Sequence, residues 1–311
     1  MAREVTFTND DVTLAGSLAV PDRGATAGVV MVGGSGPSDR DNDTYFPPLR
    51  RHLVAAGIAV LSYDKRGVGA SSGDWRAATM ADLAADAAAA LDFLRTRPEV
   101  RPDTVGLFGH SEGGWVVLRA AAGRDDVPWV ITNSCPATTP AVQERHALAN
   151  ALGRGGATAR DLAAALTAYD TLVEAGRRDS DFAHARRLVD AVGNAPFADH
   201  YWSQVDEALW EFLKRKQDHD PLPDVLRLRC PHLAIFGGAD ALVPVADSVH
   251  LFGAAACHPD RHPSATTSVE LFPGADHRLH TEAGTRLATG YLETLTRWIE
   301  RFSGVRATSS R

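Results

Sequence analysis

Two pentapeptides in this chain match the pattern G-x-S-x-G: Gly109-His110-Ser111-Glu112-Gly113 and Gly69-Ala70-Ser71-Ser72-Gly73. In that pattern a serine sits on a sharp strand-to-helix turn. Small flanking residues let the backbone pass closely, and the hydroxyl is presented for attack on a carbonyl carbon. The letters decide little, because such a match arises by chance in roughly one chain in ten. Context separates the two. Ser111 has an apolar strand-like run before it, residues 104–108, and an apolar helical run after it, 112–122. Ser71 lies in a polar loop with no helix beginning directly after it, so it reads as a loop residue.

A serine hydroxyl needs a base to take its proton, and the base needs an acid to orient it. With a nucleophile on such a turn, the order along the chain is serine, then carboxylate, then histidine. Of 12 histidines, His277 and His280 lie between the last strand-like run and the last helical run. His277, in Pro273-Gly274-Ala275-Asp276-His277, is nearer the strand end and is the expected base. The acid should follow the preceding strand. Residues 232–236 run into Gly237-Gly238-Ala239-Asp240, and Asp240 takes that place, although a turn or N-cap aspartate would also fit there. Asp276 is the runner-up, but it adjoins His277 in sequence and is badly placed to bond its ring.

Acyl transfer also needs donors for a developing oxyanion. The backbone N–H of Glu112 stands at the start of a helix, where free N–H groups and the helix dipole favour negative charge. The second donor is expected from Gly33-Gly34-Ser35-Gly36, after the apolar run 28–32. Ser35 is chosen, with Gly34 as the near alternative, and a plain glycine turn is the bland reading. Gly34 and His110 beside the serine, and Trp202 and Trp210 further on, are candidate substrate-pocket residues.

The elements that must position these groups follow from periodicity. Residues 4–8 and 12–20 alternate around Asn9-Asp10-Asp11 and read as an antiparallel hairpin. From residue 28, short apolar runs at 28–32, 58–63, 104–108 and 127–132 alternate with helical segments at 47–56, 81–96 and 112–122. That alternation implies an α/β architecture, a mostly parallel sheet with helices on both faces. It breaks near residue 137. To about residue 226 the chain is helical, with segments at 161–175, 182–192 and 202–216, and rich in aromatics. It resumes with strands at 232–236 and 268–272 and helices at 245–256 and 284–302. The expected organisation is a core of 1–136 and 227–303, a helical insertion at 137–226 and a tail at 304–311.

Composition excludes several classes. In 311 residues the formal charge is −7, with no run of basic residues, which argues against a nucleic-acid partner. Lysine is confined to Lys65, Lys214 and Lys216. Cys135, Cys230 and Cys257 form no paired pattern, no leader-like apolar stretch opens the chain, and no apolar run is long enough to span a membrane. The expectation is a soluble, cytoplasmic protein with no metal and no cofactor. Cys257-His258 and His262 lack a second ligand cluster, and 33–36 is not a G-x-G-x-x-G loop. A homodimer is compatible with the sequence.

At this point the sequence resembles the α/β-hydrolase superfamily. The resemblance rests on Gly109-His110-Ser111-Glu112-Gly113-Gly114, Gly237-Gly238-Ala239-Asp240, Asp276-His277, and Asp64-Lys65-Arg66-Gly67-Val68-Gly69-Ala70-Ser71, which is similar to the superfamily's D-x-R-G-x-G-x-S loop. Gly34-Ser35-Gly36-Pro37-Ser38-Asp39-Arg40-Asp41 is similar to the G-S-G-P-x-D-R-D segment of a bacterial carboxylesterase subgroup, with serine aminopeptidase-like and dienelactone-hydrolase-like members. The usual His-Gly of the superfamily is replaced by Gly33-Gly34. The resemblance implies metal-independent ester hydrolysis under a helical lid, residues 137–226, on a small ester or acyl substrate. Thioesterase, peptidase and acyltransferase would use the same acyl-enzyme. A non-catalytic receptor of the same fold would give no multiple turnover.

Overall fold

A computed structural model of the chain describes residues 2–193, 195–281, 284 and 286–304. It opens with an antiparallel hairpin of β1 (Ala2–Asn9) and β2 (Val12–Ala19), followed by β3 (Ala27–Val32), α1 (Phe46–Ala55), β4 (Ile58–Tyr63) and α2 (Met80–Arg95). β5 (Val105–His110), α3 (Glu112–Ala121) and β6 (Val130–Asn133) complete the first half. The chain then runs through α4 (Pro140–Arg154), α5 (Ala159–Arg177), α6 (Phe182–Val192), α7 (Ala195–His200), α8 (Glu207–Lys216) and α9 (Leu222–Leu226). It returns as β7 (His232–Gly237), α10 (Val245–Ala256), β8 (Thr267–Phe272), a short β9 (His280–Thr281) and β10 (Arg286–Leu287) pair, and α11 (Tyr291–Phe302).

Among the described residues the main sheet has the order β1-β2-β4-β3-β5-β6-β7-β8, parallel from β4 through β8 with the hairpin antiparallel at one edge. Its central strands are buried on both faces, as their continuous apolar runs require. Alternate residues divide between two cores. Val30, Leu61 and Leu107 pack with Leu83, Leu91 and Trp115 of α2 and α3; Val29, Val60 and Phe108 pack with Phe46, Leu49, Leu295 and Trp298 of α1 and α11. The helices between β6 and β7 have a third core of their own, built on Leu148, Tyr169, Leu172, Val189, Phe197 and Trp210.

Three departures from the sequence reading stand out. The helix expected over 284–302 begins at Tyr291. Gly290 takes φ 84°, a left-handed turn that an α-helix cannot run through, and the residues before it pair as β9 and β10. The segment 202–216 is divided: Trp202–Gln204 is a single 3₁₀ turn, and α8 starts after Asp206, whose carboxylate accepts from the Leu209 N–H at 2.8 Å. α4 was not anticipated. It starts at Pro140 behind the Thr139 cap, and buries only Pro140, Ala141, Leu148 and Leu152, too sparse a stripe to stand out. Of the expected tail, 305–311 lies outside the described residues.

Candidate active site

Ser111 joins β5 to α3 with φ 55° and ψ −123°, a conformation that is costly for a residue with a side chain. Its N–H is tied to the Asn133 carbonyl at 2.9 Å, which anchors the turn to the end of β6. The two motif glycines have a steric cause. A Cβ on Gly113 would stand 2.3 Å from the Val32 carbonyl oxygen, and one on Gly109 would stand 2.1 Å from that of Gly113. The turn therefore closes onto the end of β3 only with hydrogen at both positions. Ser111 itself is half-buried at the C-terminal edge of the sheet.

His277 and Asp240 arrive from loops after β8 and β7. His277 Nδ1 lies 2.7 Å from Asp240 Oδ2. The other oxygen, Oδ1, accepts from the N–H groups of Leu242 at 2.8 Å and Val243 at 3.1 Å. Asp240 thus caps its own turn with one oxygen and holds the imidazole with the other. With the proton on Nδ1, the ring's Nε2 is left as a base. Asp276 instead accepts from the backbone N–H groups of Arg278 and His280, and His280 stands 3.8 Å from it.

The residue before the serine brings the two parts together. Asn42 Nδ2 donates to His110 Nδ1 at 2.9 Å, so His110 carries its proton on Nε2 and donates to the His277 carbonyl at 3.2 Å. The His110 and His277 rings are 4.9 Å apart. Burial first, then the neighbouring His277, pushes the His110 pKa well below its usual value, so it stays a neutral structural donor.

On the other side of Ser111, a Cβ added to Gly34 would lie 3.4 Å from Ser111 Cβ. The Gly34 N–H is occupied, donating to Asn42 Oδ1 at 3.2 Å. Among the described residues no partner meets the Ser35 or Glu112 N–H. The Glu112 carboxylate points away into a buried cluster. Lys65 Nζ donates to Oε1 at 2.8 Å, Lys216 Nζ to Oε2 at 2.9 Å, and Ser35 Oγ to Oε2 at 3.2 Å. Burial pushes this carboxyl up, but the ammonium groups of Lys216 and Lys65 outweigh it and hold it well below the usual carboxylate range.

Ser71 is used structurally: its buried hydroxyl donates to the Asp64 carbonyl at 2.7 Å and accepts from the Ala15 N–H at 2.9 Å. In the same loop Asp64 receives Arg40 Nε at 3.0 Å and Nη2 at 2.7 Å, which joins the segment after β3 to the loop after β4. Trp202 stacks on Phe182 and meets Trp210 inside the core of the insertion. Trp210 also faces a cavity of about 20 Å³ with Glu144, Tyr169, Tyr201 and Lys216, room for roughly one water. Asn42, Lys65 and Lys216 were not singled out as site residues from the sequence. Their partners are 68, 47 and 104 positions away, too far for any local pattern in the sequence to show them. Among the described residues no group of three or more His, Cys, Asp or Glu could hold a metal ion, and no helix is long and apolar enough to cross a membrane.

Residues 41–284 match the family model described as serine aminopeptidase, S33. Palmitoyl-protein thioesterase ABHD10, mitochondrial, of Homo sapiens is 23% identical over 274 residues, covering 88% of this chain and 74% of that protein. Thiohydrolase apmlB of Arthrinium phaeospermum is 39% identical over 87 residues, only 28% of each chain. Among solved structures, DcsB in complex with its substrate analogue is similar with a TM-score of 0.66 at 15% identity, over 97% of this chain and 99% of that one. The Pyrococcus furiosus esterase PF2001 is similar with a TM-score of 0.63 at 18% identity, over 98% and 92%. At these identities the structural likeness is one of fold.

Proposed function

Since this chain belongs to the α/β-hydrolase family described as serine aminopeptidase, S33, we propose that it is a serine hydrolase that cleaves a carboxylic ester through an acyl-enzyme on Ser111. The observation that carries the reading is the His277–Asp240 pair, 2.7 Å apart, drawn through His110 to the strained turn that bears Ser111. Ser111 Oγ attacks the carbonyl carbon while its proton passes to His277 Nε2. The N–H groups of Ser35 and Glu112 receive the negative oxygen. Collapse breaks the C–O bond, and the imidazolium gives its proton to the departing alkoxide. Water then attacks the acyl-enzyme with His277 again as base, releasing the acid and restoring the serine hydroxyl. Residues 137–226 act as a cap over this site, supported by the reach of Lys216 from α8 to Glu112. The three free cysteines suit a reducing compartment such as the cytoplasm.

The curated relatives favour one refinement. The Arthrinium phaeospermum protein is named a thiohydrolase and the Homo sapiens protein a thioesterase. A thiolate leaves with less need of protonation than an alkoxide, since a thiol is far more acidic than an alcohol. The same groups therefore serve thioesters, and turnover of matched acyl thioester and oxygen ester pairs decides between them.

The test of the whole reading is a fluorophosphonate probe followed by peptide mapping. The expected result is one adduct per chain on Ser111, and a loss of ester turnover of at least about 10⁴-fold in Ser111→Ala with folding intact. An adduct on Ser71, or turnover surviving in Ser111→Ala, overturns it.

A further inference from the structure

The loop proposed to hold one oxyanion donor has little stiffness of its own. Gly33-Gly34-Ser35-Gly36 contains three glycines, whose peptide planes turn at low cost. An oxyanion donor is useful only if its orientation is set before the reaction. Two contacts fix the planes on either side of Gly34. The Gly34 N–H is held by Asn42 Oδ1 at 3.2 Å. The Gly34 carbonyl accepts from Lys65 Nζ at 2.6 Å. That carbonyl belongs to the same planar amide as the Ser35 N–H, and in a trans amide the two point in opposite directions. A grip on the oxygen therefore sets the direction of the N–H. A cation at the oxygen also draws electron density along the amide and makes the N–H a stronger donor.

We propose that Lys65 is a positioning residue of the oxyanion site, acting through the Gly34–Ser35 peptide, and that the Glu112 carboxylate and Lys216 tie its setting to the helical insertion. The inference rests on the reading of Ser35 N–H as an oxyanion donor. Glu112 is the hub. Its backbone N–H is the other donor, while its side chain holds Lys65 at 2.8 Å, Lys216 at 2.9 Å and the Ser35 hydroxyl at 3.2 Å. Both donors are thus braced by one buried carboxylate. Lys216 is the last residue of α8, so the brace reaches into the insertion. The Glu112 carboxylate faces both ammonium groups, and Glu144 stands near Lys216, so Lys65 is the ammonium group that lies against the proposed donor loop.

The charge count makes the test clean. Lys65→Met leaves Glu112 paired with Lys216, and Lys216→Met leaves it paired with Lys65, so neither variant strands the Glu112 carboxylate. Each variant is compared with the parent in p-nitrophenyl ester hydrolysis. Inhibition is measured with a trifluoromethyl ketone, which forms a tetrahedral oxyanion adduct on the serine, and with the matching methyl ketone, which does not. In Lys65→Met, kcat is expected to fall about 30-fold with KM little changed. The trifluoromethyl ketone should weaken by the same factor and the methyl ketone should not. Lys216→Met should give the same pattern with a smaller loss. A folded Lys65→Met with kcat within about 3-fold of the parent overturns the proposal. So does equal weakening of both ketones, which marks a merely structural role. Failure of the underlying reading is seen separately, as ester turnover that survives Ser111→Ala.

Discussion

Asp240 shows how one carboxylate can serve a turn and a histidine at once, and it supplies a prediction at the scale of a single residue. Oδ1 takes two backbone N–H groups and Oδ2 takes His277 Nδ1. In Asp240→Asn the amide oxygen keeps the two backbone donors, so the amide NH₂ faces Nδ1. The imidazole must then place its proton on Nε2, where it is useless as a base. Expected is a loss of kcat on the order of 10⁴-fold, read by ester turnover, with the melting temperature within a few degrees of the parent. A variant that keeps a tenth of the parent's kcat removes Asp240 from the proposed triad. Ser111, Asp240 and His277, the proposed triad, could be singled out because each follows a strand that shows as a short apolar run, and the structure brings Asp240 and His277 within 2.7 Å. Asn42 and Lys65 had no such signal. Their roles depend on which loops meet in space, and a loop's neighbours are not encoded in its own periodicity.

At the scale of elements, the β5–turn–α3 unit tolerates little change. The Gly113 site is walled by the carbonyl oxygens of Val32, 2.3 Å from an added Cβ, and Gly33, 2.5 Å away. Both belong to the backbone at the end of β3, a central strand, and neither can withdraw without breaking the sheet. Gly113→Ala is expected to cost more than about 4 kcal/mol in urea unfolding and to abolish fluorophosphonate labelling. A cost under about 1 kcal/mol would show that the turn can open. Strands and helices with strong periodicity were readable: β4, α6 and α10 begin and end where the sequence predicts. The errors fall where a local conformation overrules composition. Gly290 stops the final helix short, Asp206 moves the start of α8, and the weak stripe of α4 hides a helix of 15 residues.

For the whole molecule, acid sensitivity follows from histidines kept neutral inside the fold. His232 heads β7 fully buried, with Nε2 2.9 Å from Thr132 Oγ1. Burial, with help from Arg261, pushes its pKa down from 6.5 to about 3. Below pH 6.5 the unfolded chain takes up a proton that the folded chain refuses, so stability is full above pH 6.5 and declines as pH falls toward 3. By pH 5 this one residue removes on the order of 2 kcal/mol. His219, held at about 4, has the same sign, and Glu112, held low, adds its own loss once pH drops below the ordinary glutamate range. The midpoint of urea unfolding should therefore fall steadily from pH 7 to 4, and His232→Gln should flatten the upper part of that slope. A profile identical to the parent's would mean that His232 titrates freely in the folded state.

Two of the three lysines in the chain lie buried against Glu112, and the third, Lys214, is nearly covered and bound to Asp179 and Glu211. A protease that cuts only after lysine therefore meets no freely exposed lysine side chain in the folded protein. Its cuts at positions 214 and 216 come from molecules in which α8 has opened, and its cut at 65 from molecules in which the loop after β4 has left Gly34 and Glu112. The rarity of one amino acid makes such a protease a clock for local opening, with the length of the fragments telling whether α8 or the loop after β4 let go first.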